Sequence, residues 1–352
     1  MNSRRPRRCL AWLGWLVWSA ELALAAPLPE AQAAPDGCAR AAPLPLDFRF
    51  RTGARPTSTP AVSADGHAYV GTSEGYVHAL GPDGSYLWGY TLRGPVVGEL
   101  VLSGSGGLLV PTPRRIYALR ADGSLAWVFE SPIPIHAGLA ADGFGRYFFA
   151  SDDGRLFALS SRGALIAHVA GKALFSSPPV TLGKAVGVAR SDGSAVLAWF
   201  GKNQRFELGA PARELFACEG AAFCALAGEE LLGVDTTGVR FRLSAERASA
   251  AGDRIAVITR ARRLEVYAKA GSERVFEVPL PAEASAAPLV DPRGRVFVPL
   301  ENGALFGFSE RGAPLGCSQF AESPLGRPIF DPVHNRVWVI AREGLLLAVE
   351  AR

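Results

Sequence analysis

The sequence predicts an all-β fold in which small four-stranded antiparallel sheets stack side by side and close into a ring. Three observations predict it. Residues 58–94 break into four short apolar runs: Pro60-Ala61-Val62, His67 to Gly71, Tyr76 to Leu80, and Ser85 to Tyr90. The pairs Asp65-Gly66, Glu74-Gly75 and Asp83-Gly84 separate them, and an acidic residue before glycine marks a hairpin because glycine accepts positive φ freely. The same unit returns at intervals of about 40 residues, and a sheet with two apolar faces needs copies of itself on either side. The last copy lacks its fourth run, while a strand-like stretch near the N-terminus, Phe48-Arg49-Phe50-Arg51-Thr52-Gly53, has the pattern to supply it.

Taken in order, the chain opens with Arg4, Arg5, Arg7 and Arg8 before an apolar, tryptophan-rich segment from Cys9 to Ala20. That segment is too short to span a bilayer and suits the core of a secretory signal. Ala23-Leu24-Ala25 and Ala31-Gln32-Ala33 both fit a small-residue cleavage site. The expected organisation is a signal peptide at 1–25, an Ala/Pro-rich leader at 26–45 and a repeat domain at 46–352, an uncleaved N-terminal anchor being the alternative. Neither Cys9 nor Cys38 sits in a lipid-attachment box. The expectation is a soluble periplasmic or secreted protein. Four arginines and one glutamate leave with residues 1–25, so the formal net charge drops from +4 to +1. A near-neutral body offers no electrostatic footprint for nucleic acid and no strong attraction to an anionic membrane.

The first unit ends in Leu87-Trp88-Gly89-Tyr90. The second, from Gly98 to Pro134, holds Gly107 to Val110, Ile116 to Leu119, Asp122-Gly123 and Leu125 to Phe129, with Trp127 where Trp88 falls. The third starts near Gly138 and has Tyr147 to Ala150, Asp153-Gly154 and Leu156 to Leu159, its tryptophan replaced by Ala167. The fourth runs from Ser177-Pro178-Pro179-Val180 through Asp192-Gly193 to Val196-Leu197-Ala198-Trp199. The fifth, about Leu215 to Leu243, and the sixth, with Arg254 to Ile258 and Leu264 to Tyr267, are degenerate. The seventh recovers the pattern in Ala287 to Val290, Arg295 to Val298, Asn302-Gly303 and Leu305 to Phe308. The eighth has Arg327 to Phe330, Val337 to Ile340, Glu343-Gly344 and Leu345 to Val349. Closing the ring with the N-terminal strand would hide edges that an open array leaves to aggregation.

Cys38, Cys218, Cys224 and Cys317 follow the signal, and an even number in an exported chain favours disulfides over metal. Cys218 and Cys224 are close enough to bridge a tight loop; Cys38 and Cys317 would then tie the N-terminal segment to a late repeat. The spacing does not fix the connectivity.

The Tyr-x-Ala-Leu strand followed by a turn and a tryptophan, best kept in Tyr76 to Leu80 with Trp88 and in Ile116 to Leu119 with Trp127, resembles the repeats of quinoprotein-type β-propellers. The resemblance implies a single eight-bladed β-propeller, or seven blades if units five and six merge. It also implies that Trp88, Trp127 and Trp199 dock one blade against the next. No adjacent cysteine pair of the quinone enzymes is present, and Asp152-Asp153-Gly154 reads as a turn rather than a calcium loop. In size and targeting the chain is similar to the propeller subunit of the outer-membrane β-barrel assembly machinery, which implies a protein partner, no cofactor and no catalytic residues.

Other candidates are weaker. His67 and His78 lie on neighbouring strands but lack a third metal ligand. Ser103-Gly104-Ser105-Gly106-Gly107 imitates a phosphate loop without the helix that would give it a dipole. Arg260 and Arg262, beside Arg254 and Arg263, would share one face of a strand. The reading is a monomeric, non-catalytic propeller that binds an envelope protein or peptide through loops at one end of the ring. Its rivals are an enzyme with its site at the channel and a binder of small molecules or sugars.

Overall fold

Short polar turns set the strand lengths. At Asp83-Gly84-Ser85 the Asp83 carboxylate accepts from the Ser85 amide at 3.0 Å and its hydroxyl at 2.5 Å, while Gly84 adopts φ 79°. Asp122 holds Ser124 in the same way at 2.9 and 2.7 Å, and Asp192 holds Ser194 at 3.1 and 2.6 Å. Hydrogen bonds from these serines hold the three carboxyls below the usual range, so the turns keep their acceptors ionised at neutral pH.

The computed structural model describes residues 38 and 42–351, apart from 171–172, 184, 200–201 and 269. The expected signal peptide and most of the leader lie outside the described residues. The described chain forms eight four-stranded antiparallel sheets, and these are the blades of a β-propeller. Blade 1 comprises Ala61–Val62, Ala68–Gly71, Tyr76–Leu80 and Tyr86–Thr91; blade 2 comprises Val101–Leu102, Leu108–Pro111, Arg115–Leu119 and Leu125–Glu130. Blade 3 is built from Ile135–Ala141, Tyr147–Ser151, Arg155–Leu159 and Leu165–Ala170, and blade 4 from Val180–Leu182, Ala185–Ala189, Ser194–Trp199 and Lys202–Glu207. Blades 5 and 6 are separate sheets, Ala212–Phe216 to Gly238–Ser244 and Arg247–Ala251 to Glu273–Pro279. Blade 7 runs from Leu289–Val290 to Pro314–Gln319. First strands touch one another from blade 1 through blade 5 and between blades 6 and 7, and that of blade 1 touches that of blade 8. The second and third strands are almost wholly buried, as in Ala68–Gly71 and Val296–Pro299, so the core lies between blades.

Blade 8 completes the ring. Its own strands Ile329–Asp331, Arg336–Ile340 and Leu345–Glu350 are joined by Leu46–Arg51 as the fourth, with Arg49 opposite Leu347 and Phe50 opposite Leu346. Leu46–Arg51 alternates exposed and half-buried positions exactly as far as the outer strands of blades 1 and 2 do, because all three face the same surroundings. Phe48 packs on Trp338 with ring centroids 4.8 Å apart. Arg336 ties the seam from a third side, reaching Asp47 at 2.8 Å and the Pro82 carbonyl of blade 1 at 2.6 Å. Arg295 does the same between blades 7 and 8: it pairs with buried Asp291 at 2.6 Å and donates to the Ala351 carbonyl at 2.7 Å.

The weak repeats have a local explanation. In blade 1 the turn between second and third strands is closed by Thr72 N–H to the Tyr76 carbonyl and Gly75 N–H to the Thr72 carbonyl. In blade 6 the same two bonds run from Thr259 to Arg263 and from Arg262 to Thr259. Arg262 therefore stands where glycine stands in blade 1, with φ 56°. Arg260 and Arg262 belong to this turn and not to a strand, which corrects the expected shared face; Arg260 instead pairs with Glu229 at 2.6 Å.

Replacing Phe48 with alanine should lower unfolding free energy by about 2–3 kcal/mol, as expected for a half-buried aromatic, read as a lower denaturant midpoint. Arg262→Gly should raise stability by up to about 1 kcal/mol, since relief of a left-handed residue outweighs the added chain entropy; an unchanged or lower midpoint would contradict the assigned strain.

Candidate functional site

Blade-to-blade docking follows one rule. An aromatic ring on the outer strand lies over the glycine of the next blade's outer turn, where no Cβ intervenes. Trp88 sits over Gly123, whose added Cβ would come within 2.6 Å of the indole, and its Nε1 donates to the Ala121 carbonyl at 2.8 Å. Trp127 sits over Gly163 and donates to the Ser161 carbonyl at 3.0 Å. Phe48 takes this place over Gly84, Phe241 over Gly271 and Phe276 over Gly312. The sequence reading gave none of these three phenylalanines a docking role, although a glycine at the end of each following turn was visible there.

Trp199 does not follow the rule. It ends the third strand of blade 4 and pairs with Lys202 across the hairpin. Asp192-Gly193 turns the second strand into the third, as Glu74-Gly75 does in blade 1, so the outer strand begins later than the tryptophan motif suggested. The position matching Trp88, opposite the third-strand residue Leu197, is Gln204.

A cleft of about 730 Å³ lies between blades 2 and 3. Trp127 and Tyr147 form its aromatic wall, the 103–107 turn another side, and Arg120, Asp122 and Arg162 its polar rim. Burial pushes the Tyr147 hydroxyl pKa up, so it remains a neutral donor. Around this cleft the outer strands are apolar. Leu125, Val128, Phe144, Leu165, Ile166 and Val169 are exposed on blades 2 and 3, whereas among the described residues of blades 4 to 7 the one exposed large apolar side chain is Leu174, in the segment leading into blade 4.

A second cleft, about 420 Å³, opens at the seam of blades 8 and 1 and includes Arg55, the hydroxyls of Thr57, Ser58, Thr59 and Ser73, and Glu99. Glu99 is exposed to water on one side but walled by protein on most others. Loss of hydration raises its carboxyl pKa, against the hydrogen bond from the Thr59 hydroxyl and the pull of Arg327.

The remaining candidates separate. His67 pairs with Asp65 at 2.9 Å, while His78 lies opposite Val70, three residues along the strand. His78 is packed among Phe50, Tyr76 and Tyr86, at 5.3, 4.6 and 6.1 Å between ring centroids. Asp153 accepts from Ser151 and pairs with Arg155 at 3.1 Å within its turn. Residues 103–107 form a hairpin turn. Among the described residues, no three His, Cys, Asp or Glu side chains converge as a metal site. Cys218 is bonded to Cys224 and Cys38 to Cys317, with Cα atoms 5.7 and 5.3 Å apart.

Comparison with known proteins agrees with this architecture. Residues 14–134 match the PQQ-type family model described as outer membrane protein assembly factor BamB. BamB from Moraxella catarrhalis superposes with a TM-score of 0.70 at 16% identity, over 87% of this chain and 97% of that one. Saccharomyces cerevisiae Sqt1 gives 0.71 at 14% identity, over 87% and 98%. BBS1N, solved in complex with ARL6DN, gives 0.57 at 14% identity, over 88% and 98%. No curated protein sequence matches the chain. Residues 14–134 resemble PQQ-like repeats, and the chain shares the propeller fold of BamB; identities this low establish the shared fold alone.

Burial lowers the pKa of His78, whose two ring nitrogens are buried without a hydrogen-bond partner. The unfolded chain then takes up the proton first, at about pH 6.5. Stability should be level above that pH and fall as pH drops towards the folded pKa. Melting temperature across pH 8 to 5 should show the fall in the parent, and a shallower one in His78→Gln.

Proposed function

We propose that the protein is an exported, non-catalytic scaffold of the cell envelope that grips a partner protein on the outer face of blades 2 and 3. One observation carries this reading: exposed apolar side chains gather on those two blades beside an aromatic cleft, whereas blades 4 to 7 expose Leu174 alone among the described residues. A concentrated apolar patch rimmed by charge is the usual mark of a protein-binding surface. The even number of cysteines after the expected signal, all four of them paired, and the basic, apolar N-terminus support an envelope location. The likeness to BamB supports a role in assembly, and BBS1N in complex with ARL6DN is a propeller of this shape that holds another protein.

A pull-down from envelope extracts tests the reading. The parent chain should retain a defined partner that Leu125→Glu/Leu165→Glu loses at unchanged melting temperature, while Arg242→Ser on blade 5 retains it. Turnover of an alcohol with added quinone, or a partner indifferent to the blade 2 and 3 changes, would count against it.

A further inference from the structure

One outer blade edge is already occupied by the chain itself. Residues 42–44 run beside Pro314–Gln319 of blade 7: Leu44 N–H donates to the Cys317 carbonyl at 3.1 Å, and Cys317 N–H to the Ala42 carbonyl at 2.9 Å. The pairing is parallel, through Pro43 and Cys317. Its side-chain partner is as informative. Gly316 pairs with Gly307 as Trp88 pairs with Ala79, so blade 7 has lost its docking aromatic. Leu44, only 3% exposed, fills the gap, with a methyl 3.0 Å from where a Gly316 Cβ would be. A missing ring is replaced by an added strand that inserts an apolar side chain.

Blade 3 has lost the same ring. Ala167 pairs with Ala158 at the Trp88 position, and among the described residues no further strand pairs with Leu165–Ala170. The edge is also undefended. Sheets normally guard such edges with charge, proline or a covering segment. The uncovered outer strands of blades 2, 4, 5, 6 and 8 each carry at least one charged residue, and that of blade 1 is interrupted by Gly89. Leu165–Ala170 has neither charge nor glycine nor proline, and Leu165, Ile166 and Val169 are 50, 54 and 40% exposed. Arg162 stands exposed in the turn that leads into it.

We propose that the outer edge of blade 3 binds an extended segment of a partner protein as a fifth strand. An apolar side chain of that segment covers Ala167 as Leu44 covers Gly316, and an acidic residue at one end meets Arg162. Main-chain hydrogen bonds supply affinity in such strand addition and alternate side chains supply specificity. The inference rests on the scaffold reading and adds the form of the partner.

A random-peptide phage library panned on the full chain, followed by hydrogen exchange on the selected peptides, tests it. Selected peptides should alternate apolar and polar residues with an acidic end, and should protect the amides of residues 165–170. Ile166→Lys/Val169→Lys should weaken them at least about tenfold without lowering the melting temperature, and Arg162→Glu should weaken those with acidic ends. Protection confined to the channel or to side chains of the cleft, indifference to the double variant, an absence of selected peptides, or a concentration-dependent dimer sealing this edge would overturn it. The scaffold reading is decided separately: a partner lost with Leu125→Glu/Leu165→Glu but leaving 165–170 unprotected keeps the scaffold and removes the strand.

Discussion

Everything in the ring depends on the antiparallel ladder between Leu46–Arg51 and Leu345–Glu350. Without it blade 8 has three strands, its third strand shows a bare edge, and Trp338, which is fully buried, loses the ring packed against it. The pairing joins residues some three hundred positions apart, so the chain must search a large loop before this contact can form. Arg336 adds a polar clasp across the same seam, and its partners Asp47 and Pro82 belong to two different blades. The clasp is directional: Arg336 is buried, Asp47 is exposed, and buried Asp331 stands 3.7 Å from the same guanidinium.

The two apolar faces of each blade make the architecture tolerant in one direction and strict in another. Inner strands can vary because a neighbour on either side fills the space. The contact between outer strand and next blade is stricter, since it requires a flat ring on one side and a missing Cβ on the other. Five junctions meet the requirement with Trp or Phe. Where it is unmet, blade 7 brings in the protein's own segment, blade 3 leaves an apolar margin, and blade 4 places Gln204 on a charged outer strand. The proposed docking face is therefore a by-product of how the ring holds itself together.

Turn chemistry explains how much the sequence disclosed. Asp-Gly and Glu-Gly pairs placed most hairpins, and the unmatched run at Phe48 to Gly53 disclosed the closing strand, because both signals are local. Blade 6 was faint for an equally local reason: Arg262 holds a left-handed turn that glycine would normally announce. Trp199 misled because the tryptophan was read without the register, and only strand pairing shows it to be on the third strand. Phe48, Phe241 and Phe276 were hidden among ordinary core-like phenylalanines, since their role depends on a glycine contributed by the next blade. The apolar margin of blades 2 and 3 was legible as composition in Leu165-Ile166-Ala167-His168-Val169 but not as exposure, which depends on what the outer strand of each blade leaves uncovered.

The Cys38–Cys317 bond has a mechanical consequence. Any tension arriving from residues ahead of Cys38 enters the ring through a covalent link to blade 7 and bypasses the closing ladder, which begins at Leu46. In a ring of eight equal sectors, blade 3 lies diametrically across from blade 7. A molecule hung from its leader and loaded at blade 3 would carry the force straight across its diameter, through packed sheets, leaving the noncovalent seam at blade 8 to one side of the load path.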